Sequence, residues 1–430
     1  MITTLLCLTQ SSVLFSPGVS HAQSHRRNAS LNEEVVMIPA HAHPAGLAIA
    51  AARNGVSSGL ANATSTGPIV SSGSSIAESD QRSSSAKAVN SSAVRLETTI
   101  FRPPGDGPFP VLVLNHGKAI GNTHLQERAR FLAISREFVQ RGYAVIIPMR
   151  TGFAKSTGEY SEAPCNMTAN GQMQANDVES ILRYVRRQSW ADPERILVGG
   201  QSYGGLATLA LGTRNAPGVR GLINFAGGLR MYGGDCSWRS SLIDAFADFG
   251  GKTAIPSLWF YGDNDSHFDP ALVTAMHRAY VQRGASARLV AYGPFKKDAH
   301  SMSSSRDGVK IWWPEMEKFL RDISMPTDVV VALQDDPSLQ RSDFAPLDDI
   351  DAIPYLKENG REQYRVFLGK SLPRAFAISA AGTWSWAEDG DDPVERVLAN
   401  CESLSASPCK LYAVDNDVVW KGQLRTGAKL

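Results

Sequence analysis

The run Arg195-Ile196-Leu197-Val198-Gly199-Gly200-Gln201-Ser202-Tyr203-Gly204-Gly205-Leu206 reads as a buried strand that ends in Gly-x-Ser-x-Gly and passes into a helix. A sharp strand-to-helix turn of this kind lifts a serine hydroxyl above the end of a sheet, where it can attack an acyl carbon. Side chains at Gly200 and Gly204 would collide as the chain reverses, and Ser202 is expected in a strained backbone conformation. A serine hydroxyl is a poor nucleophile until a base takes its proton and an acid orients that base. The partners must follow the serine in the order Asp/Glu, then His, each at the C-terminal end of a strand. Asp265 follows the apolar run Ile255–Tyr261 and the turn at Gly262, and His300 follows the run Ala287–Tyr292. Asp263 and Asp269 share the loop of Asp265 and compete with it as the acid; a loop rich in Asp is also an ordinary surface feature. His267 belongs to the same loop as the acid, and His116 precedes Gly117 at a strand end, where a structural hydrogen bond is the commoner role. His300 alone among the histidines comes after the last sheet strand. An oxyanion would be held by the backbone N–H after the nucleophile, that of Tyr203, and by one from the loop after an early strand, that of Lys118. The Lys118 side chain is expected in solvent.

These residues need a sheet to place them, and the rest of the chain supplies one. Leu96–Phe101, Val111–Asn115, Ala144–Pro148, the strand before Ser202, Gly221–Ala226, Ile255–Tyr261 and Ala287–Tyr292 are mostly unbroken apolar runs, the pattern of strands covered by helices on both faces. Between them, Gln126–Arg141 reads as an amphipathic helix. Gln174–Gln188 is a second, with Val178, Ile181, Leu182 and Val185 at helical spacing, and Ile311–Leu320 begins a closing helix. Glu34–Ile38 reads as an edge strand. The expected class is α/β, a doubly wound and mostly parallel sheet.

The segment from about Leu96 to Asp322 resembles an α/β-hydrolase of the dienelactone-hydrolase or prolyl-oligopeptidase-like group. The resemblance is carried by Asn115-His116-Gly117, Gly200-Gln201-Ser202-Tyr203-Gly204, Tyr261-Gly262-Asp263-Asn264-Asp265 and Asp298-Ala299-His300. It implies serine hydrolysis of the ester type with a Ser202, Asp265 and His300 triad. Two departures bear on the substrate: dienelactone hydrolases use a cysteine where this chain has Ser202, and no propeller-like repeat array precedes the turn. A non-catalytic binding protein on the same scaffold is disfavoured by the complete and correctly ordered triad. Peptide hydrolysis by the same triad is the alternative to ester hydrolysis.

Substrate contacts are expected from loops at the carboxyl ends of the strands. Arg150 or Arg230 could pair with a substrate carboxylate, although an arginine on such a loop is often a structural donor, and Trp238 or Phe268 could form an apolar wall. A formal net charge of +1 over 430 residues gives no electrostatic case for nucleic acid or an anionic membrane. The expected partner is a small-molecule ester; no cofactor motif and no zinc-type spacing is found.

Residues 1–22, from Thr4-Leu5-Leu6 to Ser20-His21-Ala22, resemble a secretory signal cleaved after Ala22, though without a basic n-region, so the chain is expected to be exported. No later run has the length of apolar residues, about 18, that a membrane span requires. Residues 23–92 then comprise the edge strand and an Ala/Ser/Gly-rich segment from Pro39 to Ser92 with too few large apolar side chains to offset its ordering entropy. Residues 93–324 form the catalytic domain and residues 325–430 a small α+β appendage. Its expected elements are helix over Tyr355–Gly369, strand over Arg374–Ile378, helix over Pro393–Cys401 and strand over Lys410–Val414. Four cysteines remain beyond Cys7. In an exported chain they form two disulfides, Cys165 with Cys236 across the rim of the site and Cys401 with Cys409 around a local loop; four unlinked thiols are the alternative.

Overall fold

The computed structural model describes residues 31–40, 94–231, 235–333, 337–370, 373–388 and 392–422. The expected signal segment and nearly all of the Ala/Ser/Gly-rich segment lie outside the described residues.

Eight strands make the main sheet: β1 (Asn32–Ala40), β2 (Val94–Arg102), β3 (Phe109–Asn115), β4 (Ala144–Pro148), β5 (Ala191–Gln201), β6 (Val219–Phe225), β7 (Ser257–Tyr261) and β8 (Ala287–Ala291). Their spatial order is β1-β2-β4-β3-β5-β6-β7-β8. The β1–β2 and β2–β4 pairs are antiparallel and every later pair is parallel. Six helices accompany it: α1 (Leu132–Val139), α2 (Met167–Val185), α3 (Tyr203–Gly212), α4 (Trp238–Gly250), α5 (Pro270–Gln282) and α6 (Val309–Asp322).

The unbroken apolar strands follow from burial on both faces. Val111 and Val113 of β3, Ile196 and Val198 of β5 and Trp259 of β7 pack under α2 to α5. Their neighbours Leu112, Leu114, Leu197, Leu258 and Phe260 point the other way, onto Phe138 of α1 and Trp312 and Met316 of α6. Period-2 alternation therefore feeds two cores of equal necessity. This is the α/β-hydrolase fold.

Several elements differ from the sequence reading, three of them beside the main sheet or at its edge. The helix expected from Gln126 begins only at Leu132, because Gln126, Arg128 and Arg130 direct their side chains into tertiary contacts and Phe131 turns the chain at φ 43°. Helix α2 starts seven residues before the expected Gln174, capped by Asn166, whose side chain accepts the Ala169 N–H at 2.9 Å. Strand β1 extends through Ala40 rather than stopping at Ile38.

The C-terminal residues form an antiparallel sheet, order β10-β9-β11-β12, from β9 (Arg374–Ser379), β10 (Trp384–Glu388), β11 (Cys409–Val414) and β12 (Asp417–Val418). Helices α7 (Glu358–Leu368) and α8 (Pro393–Leu404) cover its two faces. Tyr364 and Phe367 of α7 pack on Phe376 and Tyr412, while Val397 and Cys401 of α8 pack on Ala375, Ala377 and Leu411. Strand β10 was not expected: its side chains alternate on a half-covered sheet, so Trp384-Ser385-Trp386 carries no apolar run.

Both expected disulfides are formed. Cys165–Cys236 joins the loops that lead into α2 and α4, and Cys401–Cys409 joins α8 to β11. In denaturant without reductant these four cysteines should resist alkylation, and reductant should make all four reactive; mass spectrometry showing them alkylated without reductant would contradict both pairings.

Candidate active site

Strand β5 enters the centre of the sheet and delivers Ser202 at its carboxyl end, with φ 54° and ψ −122°. That conformation costs on the order of 1–3 kcal/mol and is held by its surroundings. The Ser202 carbonyl accepts from Gly205 N–H at 2.8 Å and Gly228 N–H at 3.0 Å, and its own N–H donates to Phe225 O at 3.0 Å. A Cβ on Gly200 would lie 2.2 Å from Gly204 O, and one on Gly204 would lie 1.9 Å from Asn115 O. The turn therefore accepts no side chain at either position.

The loop after β7 carries Asp265 and the loop after β8 carries His300. His300 Nδ1 lies 3.0 Å from Asp265 Oδ2 and 3.2 Å from Oδ1. The carboxylate is an acceptor, so Nδ1 bears the proton and Nε2 is left with a free lone pair. Asp265 Oδ1 also accepts from the N–H groups of His267 at 2.8 Å and Phe268 at 3.0 Å, and its side chain is fully buried. Of the rival acids, Asp263 is exposed, and Asp269 caps α5 by accepting Leu272 N–H at 3.1 Å and pairs with Arg239 at 2.6 Å. The hydrogen bond from Arg239 draws the Asp269 carboxyl down to about 2.

Of the rival histidines, His116 accepts Arg150 N–H on Nε2 at 3.0 Å, which leaves Nδ1 to donate to Gly117 O at 2.6 Å. Burial, reinforced by the Arg150 guanidinium, holds His116 well below the usual histidine range, so it is neutral and structural. The His267 ring stands 4.4 Å from that of His300, and burial lowers its affinity for a proton.

Ser202, Tyr203, His300, Gly117 and Lys118 line one cavity of ≈ 1070 Å³. The Lys118 side chain is not in solvent as expected: Nζ donates to Glu162 at 2.6 Å and lies 4.9 Å from the centre of the Tyr160 ring. Phe268 and Arg230 also line the cavity. Phe268 is buried beside His300 with ring centres 5.7 Å apart, and Arg230 donates to Ser266 O at 3.1 Å. Trp238 is not on the cavity wall; it sits between Arg230 and Arg239 at 5.9 and 5.6 Å. Arg150 is also off the wall. It is fully buried beneath Tyr203, with Nε on Gln174 at 2.7 Å, and the cost of burying its charge lowers it to about 10. A guanidinium in that place is a core group and does not reach a ligand in the cavity.

Three contributors were given no role from sequence, although Asp298 stands in one of the motifs quoted above. Gln126 accepts Ala119 N–H at 2.9 Å and donates to Gly117 O at 3.2 Å, pinning the loop on either side of Lys118. Asp298 accepts from Ser266 N–H and His300 N–H at 3.1 and 2.9 Å, so it ties the acid's loop to the histidine's. Burial alone would raise the Asp298 carboxyl, but these hydrogen bonds and that from the Ser266 hydroxyl hold it below its ordinary value. The third is α8, whose Asp392, Glu395, Arg396 and Ala399 complete the cavity. A Gln eleven residues after a strand, or an Asp two before a His, has no sequence signature of its own. Among the described residues no group of three or more His, Cys, Asp or Glu side chains is arranged to hold a metal ion, and no helix is long and apolar enough to cross a membrane.

Comparison with known proteins gives the following. Residues 92–307, half of the chain, match the family model described as X-Pro dipeptidyl-peptidase (S15 family). The quorum-quenching protein AidA of Acinetobacter baumannii (strain MDR-ZJ06) is 29% identical over 130 residues, 30% of this chain and 40% of AidA, so the chain spans well under half the length of that relative. Est1E from Butyrivibrio proteoclasticus, solved with ferulic acid bound, is similar over 54% of this chain and 96% of its own, at 16% identity and TM-score 0.41. The acylaminoacyl peptidase of Pyrococcus horikoshii is similar over 54% of this chain and 40% of its own, at 19% identity and TM-score 0.41. With the fold and half of its length matched by that model, the chain belongs to the X-Pro dipeptidyl-peptidase (S15) family, serine hydrolases of the α/β-hydrolase clan.

Proposed function

We propose that this serine hydrolase cleaves small-molecule carboxylic esters through an acyl-enzyme, with Ser202 as nucleophile, His300 as general base and Asp265 as the acid that orients it. The observation that carries the reading is the conjunction, on one cavity wall, of Ser202 in a strained turn with His300, whose Nδ1 lies 3.0 Å from the buried Asp265 carboxylate. His300 Nε2 takes the Ser202 proton as Oγ bonds to the ester carbon. The resulting oxyanion is met by the N–H groups of Tyr203 and Lys118, and the imidazolium then protonates the leaving alcohol. Water repeats the sequence on the acyl-enzyme.

The carboxylates on the cavity wall support esters over peptides with a free amino terminus. Asp392 and Glu395 pair with Arg130 at 2.5 and 2.6 Å, Glu127 pairs with Arg396 at 3.5 Å, and Glu97 accepts Lys155 N–H at 3.1 Å. Each of them already has a cationic or N–H partner, which weakens it as an anchor for an ammonium, whereas an ester demands none. The peptidase reading is favoured by the description of the family. A screen of p-nitrophenyl esters of varied chain length beside aminoacyl-p-nitroanilides decides between them. Turnover of esters is expected, and turnover of anilides alone would replace the ester reading with the peptidase one. The same proposal includes export, supported by two disulfides in a chain of this size.

A further inference from the structure

One wall of the cavity that holds Ser202 and His300 does not come from the hydrolase sheet. Asp392, Glu395, Arg396 and Ala399 line it from the N-terminal cap and first two turns of α8. Their spacing is that of a single helix face. The opposite face of α8 places Val397 and Cys401 in the core of the appendage. The helix thus has one side in its own sheet and the other toward the nucleophile's cavity.

The contact is fixed by charge. Arg130, 5% exposed, donates to Asp392 at 2.5 Å, to Glu395 at 2.6 Å and to Glu33 of β1 at 2.6 Å. Arg396 reaches back to Glu127 at 3.5 Å. On the far side, Lys297, three residues before His300, donates to Gly369 O at the end of α7 at 2.6 Å. Both sides of the site are therefore tied to the appendage. Because Asp392 and Glu395 are paired with Arg130, and Arg396 with Glu127, α8 offers a ligand no demand for charge. Among polar side chains such as Gln126, Arg128 and Lys155, the cavity also presents apolar ones: Phe131, Leu229 and Phe268 are buried, and Ile120 and Leu125 are 90% and 81% exposed. A volume of ≈ 1070 Å³ lies at the upper end for small-ligand pockets, and an acetyl group would leave most of it empty.

We propose that α8 is the specificity wall of the enzyme, that the substrate carries an extended apolar acyl chain running toward it, and that Ala399 sets the length admitted. This rests on the hydrolase reading above. Ala399 is a small exposed residue on the cavity face of α8, so enlarging it fills the cavity without disturbing a core.

The test uses the full-length protein and p-nitrophenyl alkylphosphonates with methyl, hexyl and dodecyl chains, reading the rate of Ser202 labelling. In the wild type the rate should rise with chain length by up to about fourfold per buried methylene. Ala399→Trp should lose at least about tenfold with the dodecyl reagent and change less than about threefold with the methyl one. Ala399→Ser should behave as wild type, and Ala399→Phe serves where the tryptophan variant fails to fold. Equal effects at every chain length, or none, overturn the wall. Absence of label on Ser202 with every reagent instead overturns the hydrolase reading on which it stands.

Discussion

Ser202→Ala should lower ester turnover by on the order of a million-fold, about 8 kcal/mol of barrier, while leaving the fold intact. Removal of Oγ deletes the atom that would form the acyl bond, and His300 and Asp265 then have no proton to move. The fold should tolerate the change because the cost at this position lies in the backbone, φ 54°, and alanine meets the same restriction as serine. Steady-state assays on an activated ester, with circular dichroism to verify folding, give the measurement. A variant that retains substantial turnover, from a wild type that takes no phosphonate label, would falsify the nucleophile assignment.

The second large effect is expected at the acid. Asp265→Asn keeps size and shape but offers an amide where the imidazole N–H needs an acceptor, and can turn the ring into the wrong tautomer. A loss of about three to four orders of magnitude in kcat is expected. The neighbouring loop carboxylates make the control informative. Asp269→Asn preserves the helix cap, since asparagine serves as well there, and loses only a surface pair with Arg239. Asp263→Asn alters an exposed side chain. Both should remain within about tenfold of wild type, or about 1.4 kcal/mol. If Asp269→Asn caused the large loss and Asp265→Asn did not, the acid would be misassigned while serine and histidine stood.

Much of this architecture was legible because the parallel strands are buried on both faces and so advertise themselves as unbroken apolar runs. The strand that leads to Ser202 and the loops that carry Asp265 and His300 follow directly from them. Asp269-Pro270 illustrates what local reading misses: the pair is a helix cap followed by proline at the first helical position, yet in sequence the carboxylate competes as an acid. Arg150 shows the limit more sharply. Its position after a strand matches a ligand-binding loop, but whether a side chain turns toward the cavity or under Tyr203 is decided by packing partners such as Gln174, distant in sequence. The participation of α8 could not be read at all, since it depends on how two sheets dock.

The Arg130 node also has a temporal side. Its carboxylate partners are contributed by Glu33 near the beginning of the chain and by Asp392 and Glu395 near its end. A ribosome that has synthesised the whole hydrolase sheet still holds the last two partners unmade. Until they emerge, the guanidinium lacks these two carboxylates and the helix end that carries them. The late helix both closes the cavity and completes the charge balance of a residue made more than two hundred and fifty positions earlier. A nascent chain therefore acquires the finished cavity around Ser202 only once synthesis has passed α8.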